Sequence, residues 1–391
     1  MKVAKFGGSS VAGAEQFKKV KAIVEADPER RVVVVSAAGK RNADDHKLTD
    51  LLYLCHAHLN YGVSCSDIFN TIEQRLTEIR DELGLSYDIE SELKELERTL
   101  SKDTPVDLLV SRGEYFTSKL MAEYLGYTFV DAADCVIFSF DGSIDYERSY
   151  ALIAEAAEKY GRIVIPGFYG RVSTGKIKVM TRGGSDITGS LAAVAVNADV
   201  YENWTDVSGI LMADPRIVDN PEPIKKITYA ELRELAFMGA TVLHEESVQP
   251  VREKGIPLNI RNTNRPQDPG TMIVGNIDRE NSDDRFITGI AGRKNFTIIT
   301  LQKHDMHTSH TLRQALEVFE RYHAPIEHIA LGLDSFALVT SSAGLGESIY
   351  QLMGDLQKAC HPDDISQQDD IALVAAVGRK MPFRPGTSGK L

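Results

Sequence analysis

The sequence predicts an α/β protein built on a mostly parallel β-sheet with helices on both faces. Strand-like and helix-like segments alternate through the first half of the chain, which is typical of such a sheet. The segment 31–35 contains four consecutive valines, as expected of a strand buried on both faces. Near the C-terminus, a smaller β-α-β pattern predicts a second domain. Ligands of a parallel sheet bind at the carboxyl ends of its strands, so we expect the functional site there.

The elements of the first half follow this alternation in order. Residues 2–6 predict a strand, and Ser9 or Ser10 is the expected N-cap of a helix with apolar residues at positions 14, 17, 20 and 24 on one face. Residues 47–100 predict amphipathic helices with little strand signal. The remaining predictions are a helix over 106–125, a strand over 127–131, a helix over 148–160, a strand over 162–165, a helix over 186–197 and a strand over 200–204.

Composition shifts after about residue 262, where Asn, Pro and Gly and then acidic residues become frequent. We expect one domain to end near residue 275 and a linker to cover residues 276–286. Beyond the linker, the pattern predicts strands over 296–302, 326–329 and 336–340 and helices over 309–322 and 346–359.

Charge and hydropathy exclude several classes of protein. The 391 residues include 44 Lys and Arg against 56 Asp and Glu, a formal net charge of −12, which argues against nucleic-acid binding. The longest unbroken apolar run has seven residues, whereas a membrane helix needs about 18. The opening MKVAKFGG lacks the apolar region of a signal peptide, and the four cysteines form no CxxC pair. We expect a cytoplasmic enzyme that binds neither nucleic acid nor membranes.

Two glycine-containing segments predict anion binding. KFGGSS at 5–10 places two glycines between a strand and a helix, where backbone amides and the ammonium of Lys5 can approach phosphate oxygens. TRGGSD at 181–186 repeats this arrangement, with Ser185 or Asp186 as the expected N-cap and Arg182 placed to hold a carboxylate. An ordinary tight turn and a surface arginine are the respective alternatives.

Three further segments allow both a functional and a structural interpretation. GRVSTGKI at 170–177 nearly matches a P-loop, but Ile177 stands where a hydroxyl residue should bind Mg²⁺, so a β-hairpin is favoured. Glu114 lies in an apolar segment, where its carboxylate is either a ligand-binding group or half of a structural salt bridge. WTDVSGILMADPR at 204–216 directly follows a strand, where it either holds ribose and phosphates or forms a plain turn.

These segments together resemble the aspartate kinase family. The resemblance covers residues 1–275 and rests on KFGGSSV, VSRGEYFTS, PGFYG, TRGGSDITGSLAAVA, WTDVSGILMADPR and VLHEESVQP. It implies an amino-acid kinase fold, a three-layer α/β/α sandwich, over 1–275, then the linker at 276–286 and an ACT-type regulatory region at 287–391 whose second ACT unit is incomplete. It also implies transfer of the γ-phosphoryl group of ATP to the β-carboxylate of L-aspartate, the first step toward lysine, threonine and methionine.

The resemblance assigns roles to individual residues. Catalysis would involve Lys5, Arg182 and Asp186. The substrate site would comprise Ser36, Thr49, Glu114, Arg182, Gly183, Gly184 and Ser185. The nucleotide site would comprise Lys5, Phe6, Gly7, Gly8, Ser9, Thr205, Asp206, Gly209, Leu211, Asp214, Arg216 and Asn264. Glu114 would hold the ammonium of aspartate and Arg182 a carboxylate, while Mg²⁺ would be held mainly by the ATP phosphates.

The ACT-type region implies a homodimer and a lysine or threonine effector, with neither amino acid favoured. Two other functions stay open at this point, a kinase for another carboxylate such as glutamate and a non-catalytic amino-acid sensor. The intact glycine segments favour a catalyst, because a sensor has no need to retain all its phosphate-binding groups.

The assignment of Arg182 makes a testable prediction. Arg182→Ala is expected to raise the KM for aspartate far more than the KM for ATP, because the guanidinium would hold the aspartate carboxylate. Steady-state kinetics with each substrate varied in turn measure both constants. A larger effect on the KM for ATP would contradict the assignment.

Overall fold

The computed structural model describes residues 1–181, 183–239, 243, 245–277, 287–304, 308–379, 381, 385–386 and 389. The chain divides into two units. The larger unit holds the described residues of Met1–Ala236, Thr241–Gly289 and Gly378–Thr387. The smaller unit holds those of Phe237–Ala240, Ile290–Val377 and Ser388–Leu391. Among the described residues, no helix is long and apolar enough to cross a membrane.

Strands and helices alternate along much of the chain. The strands before residue 275 are β1 (Lys2–Phe6), β2 (Arg30–Val35), β3 (Thr128–Phe129), β4 (Ile137–Phe138), β5 (Ile163–Pro166), β6 (Tyr169–Val172), β7 (Ile177–Val179), β8 (Val200–Thr205), β9 (Lys226–Thr228), β10 (Leu258–Asn262) and β11 (Thr271–Val274). The helices in the same part are α1 (Ala14–Glu25), α2 (Leu48–Asn60), α3 (Ser66–Leu83), α4 (Ile89–Thr99), α5 (Val106–Leu125), α6 (Ala132–Cys135), α7 (Tyr146–Tyr160), α8 (Gly184–Ala195), α9 (Tyr229–Phe237) and α10 (Glu245–Glu253). The later elements are β12 (Ile287–Gln302), α11 (Thr308–Arg321), β13 (Ile326–Leu331), β14 (Ser335–Ser341), α12 (Ser342–Leu345), α13 (Ile349–Cys360) and β15 (Asp364–Gly378).

An eight-stranded sheet with the order β3-β5-β2-β1-β8-β10-β11-β9 organises the larger unit. All its neighbouring pairs are parallel except β10 with β11. Side chains alternate between the two faces of a strand. Ala4 and Phe6 of β1 therefore join an apolar core with helices α1, α2, α3 and α5, whereas Lys5 faces α8 on the other side. The predicted α/β fold with a mostly parallel sheet covered on both faces is confirmed.

The predicted N-cap of the first helix is wrong. Neither serine of the segment caps it, because a 3-10 turn spans Gly8–Val11 and α1 begins at Ala14 with Gly13 as its N-cap. The hydroxyl of Ser10 lies 2.7 Å from the hydroxyl of Thr263. This serine links two loops that are distant in sequence, a contact that local patterns do not reveal.

The predicted N-cap of the helix over 186–197 is also wrong. Helix α8 begins at Gly184, and Gly183 occupies the N-cap position with a φ of 72°, in the left-handed region that glycine adopts without steric cost. Ser185 and Asp186 consequently lie in the first helical turn, which leaves the Asp186 carboxylate free to contact a neighbouring strand.

Strands β6 and β7 pair antiparallel around Gly175. The near-match to a P-loop is therefore a β-hairpin, as the sequence predicts.

The smaller unit contains a four-stranded sheet with the order β13-β14-β12-β15. Strand β14 pairs antiparallel with both β12 and β13. Its apolar core includes Leu301 and Phe336 from the sheet and Phe319 and Leu352 from the helices. This matches the β-α-β pattern expected beyond the linker. Residues 278–286 of the expected linker lie outside the described residues, as do most residues after position 379.

A buried ion pair spans the central strands of the eight-stranded sheet. Arg30 of β2 donates two hydrogen bonds to Glu202 of β8, at 2.7 and 3.1 Å. The indole of Trp204 donates a third to the same carboxylate at 2.9 Å. Both charged side chains are almost fully buried. Charges this deeply buried require each other, because neither can be solvated by water.

The Arg30–Glu202 ion pair predicts that neutralising one of its charges strongly destabilises the protein. Glu202→Gln should lower the free energy of unfolding by about 3 kcal/mol or more, because it leaves a buried guanidinium without its counter-charge. Denaturant titration measures the change. Glu25→Gln, which removes the exposed partner of Lys21, is the matched control and should change stability by about 0.5 kcal/mol or less. Equal effects of the two substitutions would contradict the prediction.

Candidate active site

The carboxyl ends of four neighbouring strands form one edge of the eight-stranded sheet. Strands β2, β1, β8 and β10 lie side by side and run parallel. In this register, Phe6 of β1 is paired with Val35 of β2 and with Trp204 of β8. The loops after the four strands therefore leave the sheet at the same edge. They include the KFGGSS and WTDVSGILMADPR segments.

The KFGGSS segment crosses the end of β1 with its backbone close to both neighbours. The amide of Gly7 donates a hydrogen bond to the carbonyl of Trp204 at 3.0 Å, and the amide of Gly39 donates one to the carbonyl of Gly8 at 2.9 Å. A Cβ atom on Gly39 would lie 2.6 Å from the carbonyl carbon of Gly8. Glycine is required here because two backbones are in contact. Ser9 follows in the same turn.

Lys5 and Asp186 form a nearly enclosed ion pair on one face of β1. The Lys5 ammonium lies 2.6 Å from Oδ1 of Asp186, in the first turn of α8. Phe6, on the other face, is buried and stacked on Trp204, so a nucleotide can reach only its backbone. An ammonium has three N–H groups. Lys5 can therefore hold Asp186 and still donate to a phosphate oxygen.

Glu114 is 4% exposed in the middle of α5. The amide of Ala37 donates a hydrogen bond to its carboxyl group, while Oε2 has no hydrogen-bond partner among the described residues. Burial raises the pKa of Glu114 to about 8, because the charged form loses its hydration. A buried carboxyl group with an unused oxygen is suited to an ammonium group of a ligand.

Ser36 and Thr49 lie beside the part of α5 that carries Glu114. Ser36 directly precedes Ala37, whose amide donates the hydrogen bond to the Glu114 carboxyl group. The methyl carbon of Thr49 lies 3.7 Å from the place where a Cβ atom on Gly113 would stand. The loop after β2, the start of α2 and the middle of α5 thus surround one side of the site.

The TRGGSD segment, which opens α8, lies on the same side of the site as the loop after β2. Gly167, directly after β5, donates its amide to the last residue of β2 at 2.9 Å. A Cβ atom on Gly167 would lie 2.6 Å from the Cβ atom of Ser185, so the two loops touch. Gly183 and Gly184 precede Ser185 at the helix N-terminus, where unpaired amides favour anions. Arg182 lies outside the described residues.

On the other side of β1, the loops after β8 and β10 contact each other. The amide of Thr263 donates to the carbonyl of Thr205 at 2.8 Å, and the side-chain amide of Asn262 donates to the carbonyl of Asp206 at 3.2 Å. Thr263 also contacts Ser10. The WTDVSG segment therefore borders the KFGGSS segment, as a nucleotide site would require.

The remaining nucleotide candidates lie farther along these loops. Gly209 and Leu211 stand between β8 and β9, and Leu211 forms an isolated bridge with Pro223. Arg216 pairs with Asp214 at 2.6 Å, and its side chain is 85% exposed. The contacts described for Asp214 and Arg216 thus do not bring them to Lys5. Asn264 accepts a hydrogen bond from the Lys19 ammonium at 2.8 Å, which ties its loop to α1.

Sequence reasoning missed three residues that shape this edge, namely Gly39, Gly167 and Asn203. Gly39 and Gly167 each follow the end of a buried strand within a few residues. A glycine just after a strand is also the pattern on which the KFGGSS prediction rests. Asn203 is a polar residue inside a buried strand with 4% exposure. Because a buried amide needs partners, its presence in VYENWT was a usable signal.

The fold and the site define a class of protein. The family model described as the amino acid kinase family matches residues 1–262, which include the four strands of the edge and the loops after β1, β2 and β8. The chain therefore belongs to the amino acid kinase family.

Within this family, the similarity is to aspartokinases, and the resemblance predicted from the motifs is confirmed. Aspartokinase 3 of Bacillus subtilis (strain 168) is 33% identical over 406 residues, which cover 100% of this chain and 89% of that protein. A crystal structure of Clostridium acetobutylicum aspartate kinase has a TM-score of 0.91 and 45% identity, covering 100% of this chain and 89% of that chain. Escherichia coli aspartokinase III in complex with aspartate and ADP has a TM-score of 0.73 and 26% identity, covering 100% of this chain and 90% of that chain.

The raised pKa of Glu114 predicts how stability depends on pH. The folded protein binds this proton more tightly than the unfolded chain, whose carboxyl group has the ordinary pKa of 4.5. The contribution of Glu114 therefore lowers the free energy of unfolding as pH rises from about 4.5 to about 8. Glu114→Gln removes this cost and should raise the Tm of the ligand-free protein relative to wild type at pH 8, but not at pH 4.5.

Thermal unfolding across this pH range measures the difference in Tm between Glu114→Gln and wild type. Glu158→Gln, on the exposed side of α7, is the control and should follow the wild-type profile throughout. A constant Tm difference between Glu114→Gln and wild type at all pH values would show that the Glu114 carboxyl group does not titrate in this range.

Proposed function

We propose that the chain is an aspartate kinase, which transfers the γ-phosphoryl group of ATP to the β-carboxylate of L-aspartate and yields 4-phospho-L-aspartate and ADP. The position of Lys5 carries the proposal. It lies on β1, between the loop after β2, which contacts Glu114, and the loops after β8 and β10. Similarity to the Escherichia coli enzyme, whose structure contains aspartate and ADP, supports the same substrates here.

Aspartate would be fixed by its charged ends. The unused oxygen of Glu114 is suited to the ammonium group, and the amides at the start of α8 are suited to a carboxylate. We assign Ser36, Thr49 and Ser185 to the walls of this substrate side. Holding both ends orients the β-carboxylate toward the nucleotide, which lowers the entropic part of the barrier.

The reaction needs no general base. A carboxylate nucleophile has an ordinary pKa of about 3.9 and is already ionised at neutral pH. The obstacle is instead the approach of an anion to the polyphosphate chain. Lys5 and the backbone amides of Gly8 and Ser9 would stabilise the negative charge on the transferred group. The amide of Gly7 is already used, because it donates to the carbonyl of Trp204.

We infer that ATP binds with its phosphates on the KFGGSS segment and its nucleoside toward Thr205 and Asp206. Mg²⁺ would arrive on the phosphates, whose oxygens it prefers as ligands. In the described part of the chain, no group of three or more His, Cys, Asp or Glu residues is placed to hold a metal ion. The protein would thus hold the metal through the nucleotide.

Regulation by an amino acid is a further part of the proposal. Escherichia coli aspartokinase III has been crystallised with lysine and aspartate in a T-state, and it matches this chain at a TM-score of 0.73 and 26% identity. We propose lysine as an effector of this chain, with threonine as the alternative, and a homodimer formed through the smaller unit.

The activity is tested by trapping the acyl phosphate. With ATP, Mg²⁺, L-aspartate and hydroxylamine, aspartyl hydroxamate should form together with ADP. L-glutamate replaces aspartate in the control and should give no hydroxamate. ATP binding without hydroxamate from either amino acid would contradict an aspartate kinase and favour a sensor.

Lys5→Ala tests the proposed role of the ammonium. It should lower kcat by about a hundredfold or more, the size typical of removing one group that stabilises transition-state charge, with smaller changes in the two KM values. Lys18→Ala, which removes an exposed lysine on α1, is the control and should leave kcat unchanged. An unchanged kcat for Lys5→Ala would remove Lys5 from the mechanism.

A further inference from the structure

Asn203 occupies a special place relative to the Lys5–Asp186 pair. It is the register partner of Lys5 in the parallel pairing of β1 with β8, so both side chains leave the same face of the sheet. Asn203 is 4% exposed. A buried carboxamide at this position must satisfy its donors and its acceptor inside the protein.

Both ends of the Asn203 side chain contact the ion pair. Its Nδ2 donates a hydrogen bond to Oδ1 of Asp186 at 2.9 Å, and its Oδ1 accepts one from the Lys5 ammonium at 3.5 Å. Lys5 and Asp186 are themselves 2.6 Å apart. The three groups form a closed triangle in which each contacts the other two.

We propose that Asn203 is a positioning residue for the phosphoryl transfer. By holding Asp186 through a donor and Lys5 through an acceptor, it fixes the direction of the ammonium, so that a remaining N–H points at the transferred group. The proposal rests on the proposed function, because it assigns Lys5 to the transition state. Asn203 itself need not contact the substrate.

The donor–acceptor pattern of the carboxamide explains why this residue type is suited to the position. A carboxylate would repel Asp186 and would offer no donor. An apolar side chain of similar size would remove the hydrogen bond to Oδ1 of Asp186. It would also remove the acceptor for Lys5, so that the ammonium could turn. Among the described residues, the charged groups within hydrogen-bond distance of the Asn203 side chain are Lys5 and Asp186.

A nearby asparagine provides a matched control. Asn259 lies on the adjacent strand β10 and is paired with Glu202, so it points to the opposite face of the sheet from Asn203. It is also buried, at 8% exposure. Asn259→Leu should therefore change stability without changing the geometry of Lys5.

The kinetic test compares Asn203→Leu with Asn259→Leu. Asn203→Leu should lower kcat by about tenfold to a hundredfold, the size expected for a misaligned group, with both KM values within about threefold of wild type. Asn259→Leu should leave kcat within about twofold. Equal kcat values for the two variants would overturn the proposal.

Asn203→Asp adds a readout that a merely structural role would not move. At high pH the introduced carboxylate repels Asp186 and kcat should be low. As pH falls, one of the two carboxyl groups takes up a proton and restores a donor between them, so kcat relative to wild type should rise. A ratio that does not change with pH would contradict the positioning role.

A crystal structure of Asn203→Leu separates this proposal from the proposed function. The Lys5–Asp186 distance should lengthen beyond hydrogen-bond range, or the ammonium should turn away. An unchanged ion pair would overturn the proposal even if wild-type turnover is normal. Conversely, a wild-type protein without aspartate kinase activity would refute the function, while the distance would still decide whether Asn203 positions Lys5.

Discussion

Contact between backbones at the carboxyl end of β1 is the constraint on which the site depends. Gly8 meets Gly39 closely enough that a Cβ atom on Gly39 would lie 2.6 Å from the carbonyl carbon of Gly8. The loops after β1 and β2 can therefore lie side by side only because neither carries a side chain there. This contact brings Ser36 and Ala37 next to the KFGGSS segment, to which we assign the ATP phosphates. The proposed substrate side and the proposed nucleotide side are thereby brought together around one strand.

The two faces of the central strands differ in how completely their buried charges are paired. One face of the central strands carries the Arg30–Glu202 pair, in which every charge is satisfied within the protein. The other face carries Lys5 and Asp186, where the ammonium keeps bonding capacity for a ligand. Glu114 likewise keeps an unused oxygen and a raised pKa. The groups assigned to the reaction are thus those that the fold leaves incompletely satisfied, whereas the structural pair is complete.

Strong local patterns predicted the fold well. The valine run became β2, and the helix predicted over 106–125 is α5, Val106–Leu125. The two predicted helix caps failed because glycines, Gly13 and Gly183, take the N-cap positions. Ser10 and Asp186 instead contact Thr263 and Lys5, which are far away in sequence. For the site, motif resemblance named Lys5, Asp186 and Glu114. It did not name Asn203. A polar residue in a buried strand indicates that partners are needed, but only the strand register shows that they are Lys5 and Asp186.

A crystal structure of the protein with L-aspartate, Mg²⁺ and a non-hydrolysable ATP analogue tests the central claim most directly. We expect the aspartate ammonium on Glu114 and the terminal phosphate on the amides of Gly8 and Ser9. The Lys5 ammonium should bind an oxygen of that phosphate, and the aspartate β-carboxylate should face it. Aspartate bound away from Glu114, or a terminal phosphate out of reach of Lys5, would contradict this mechanism.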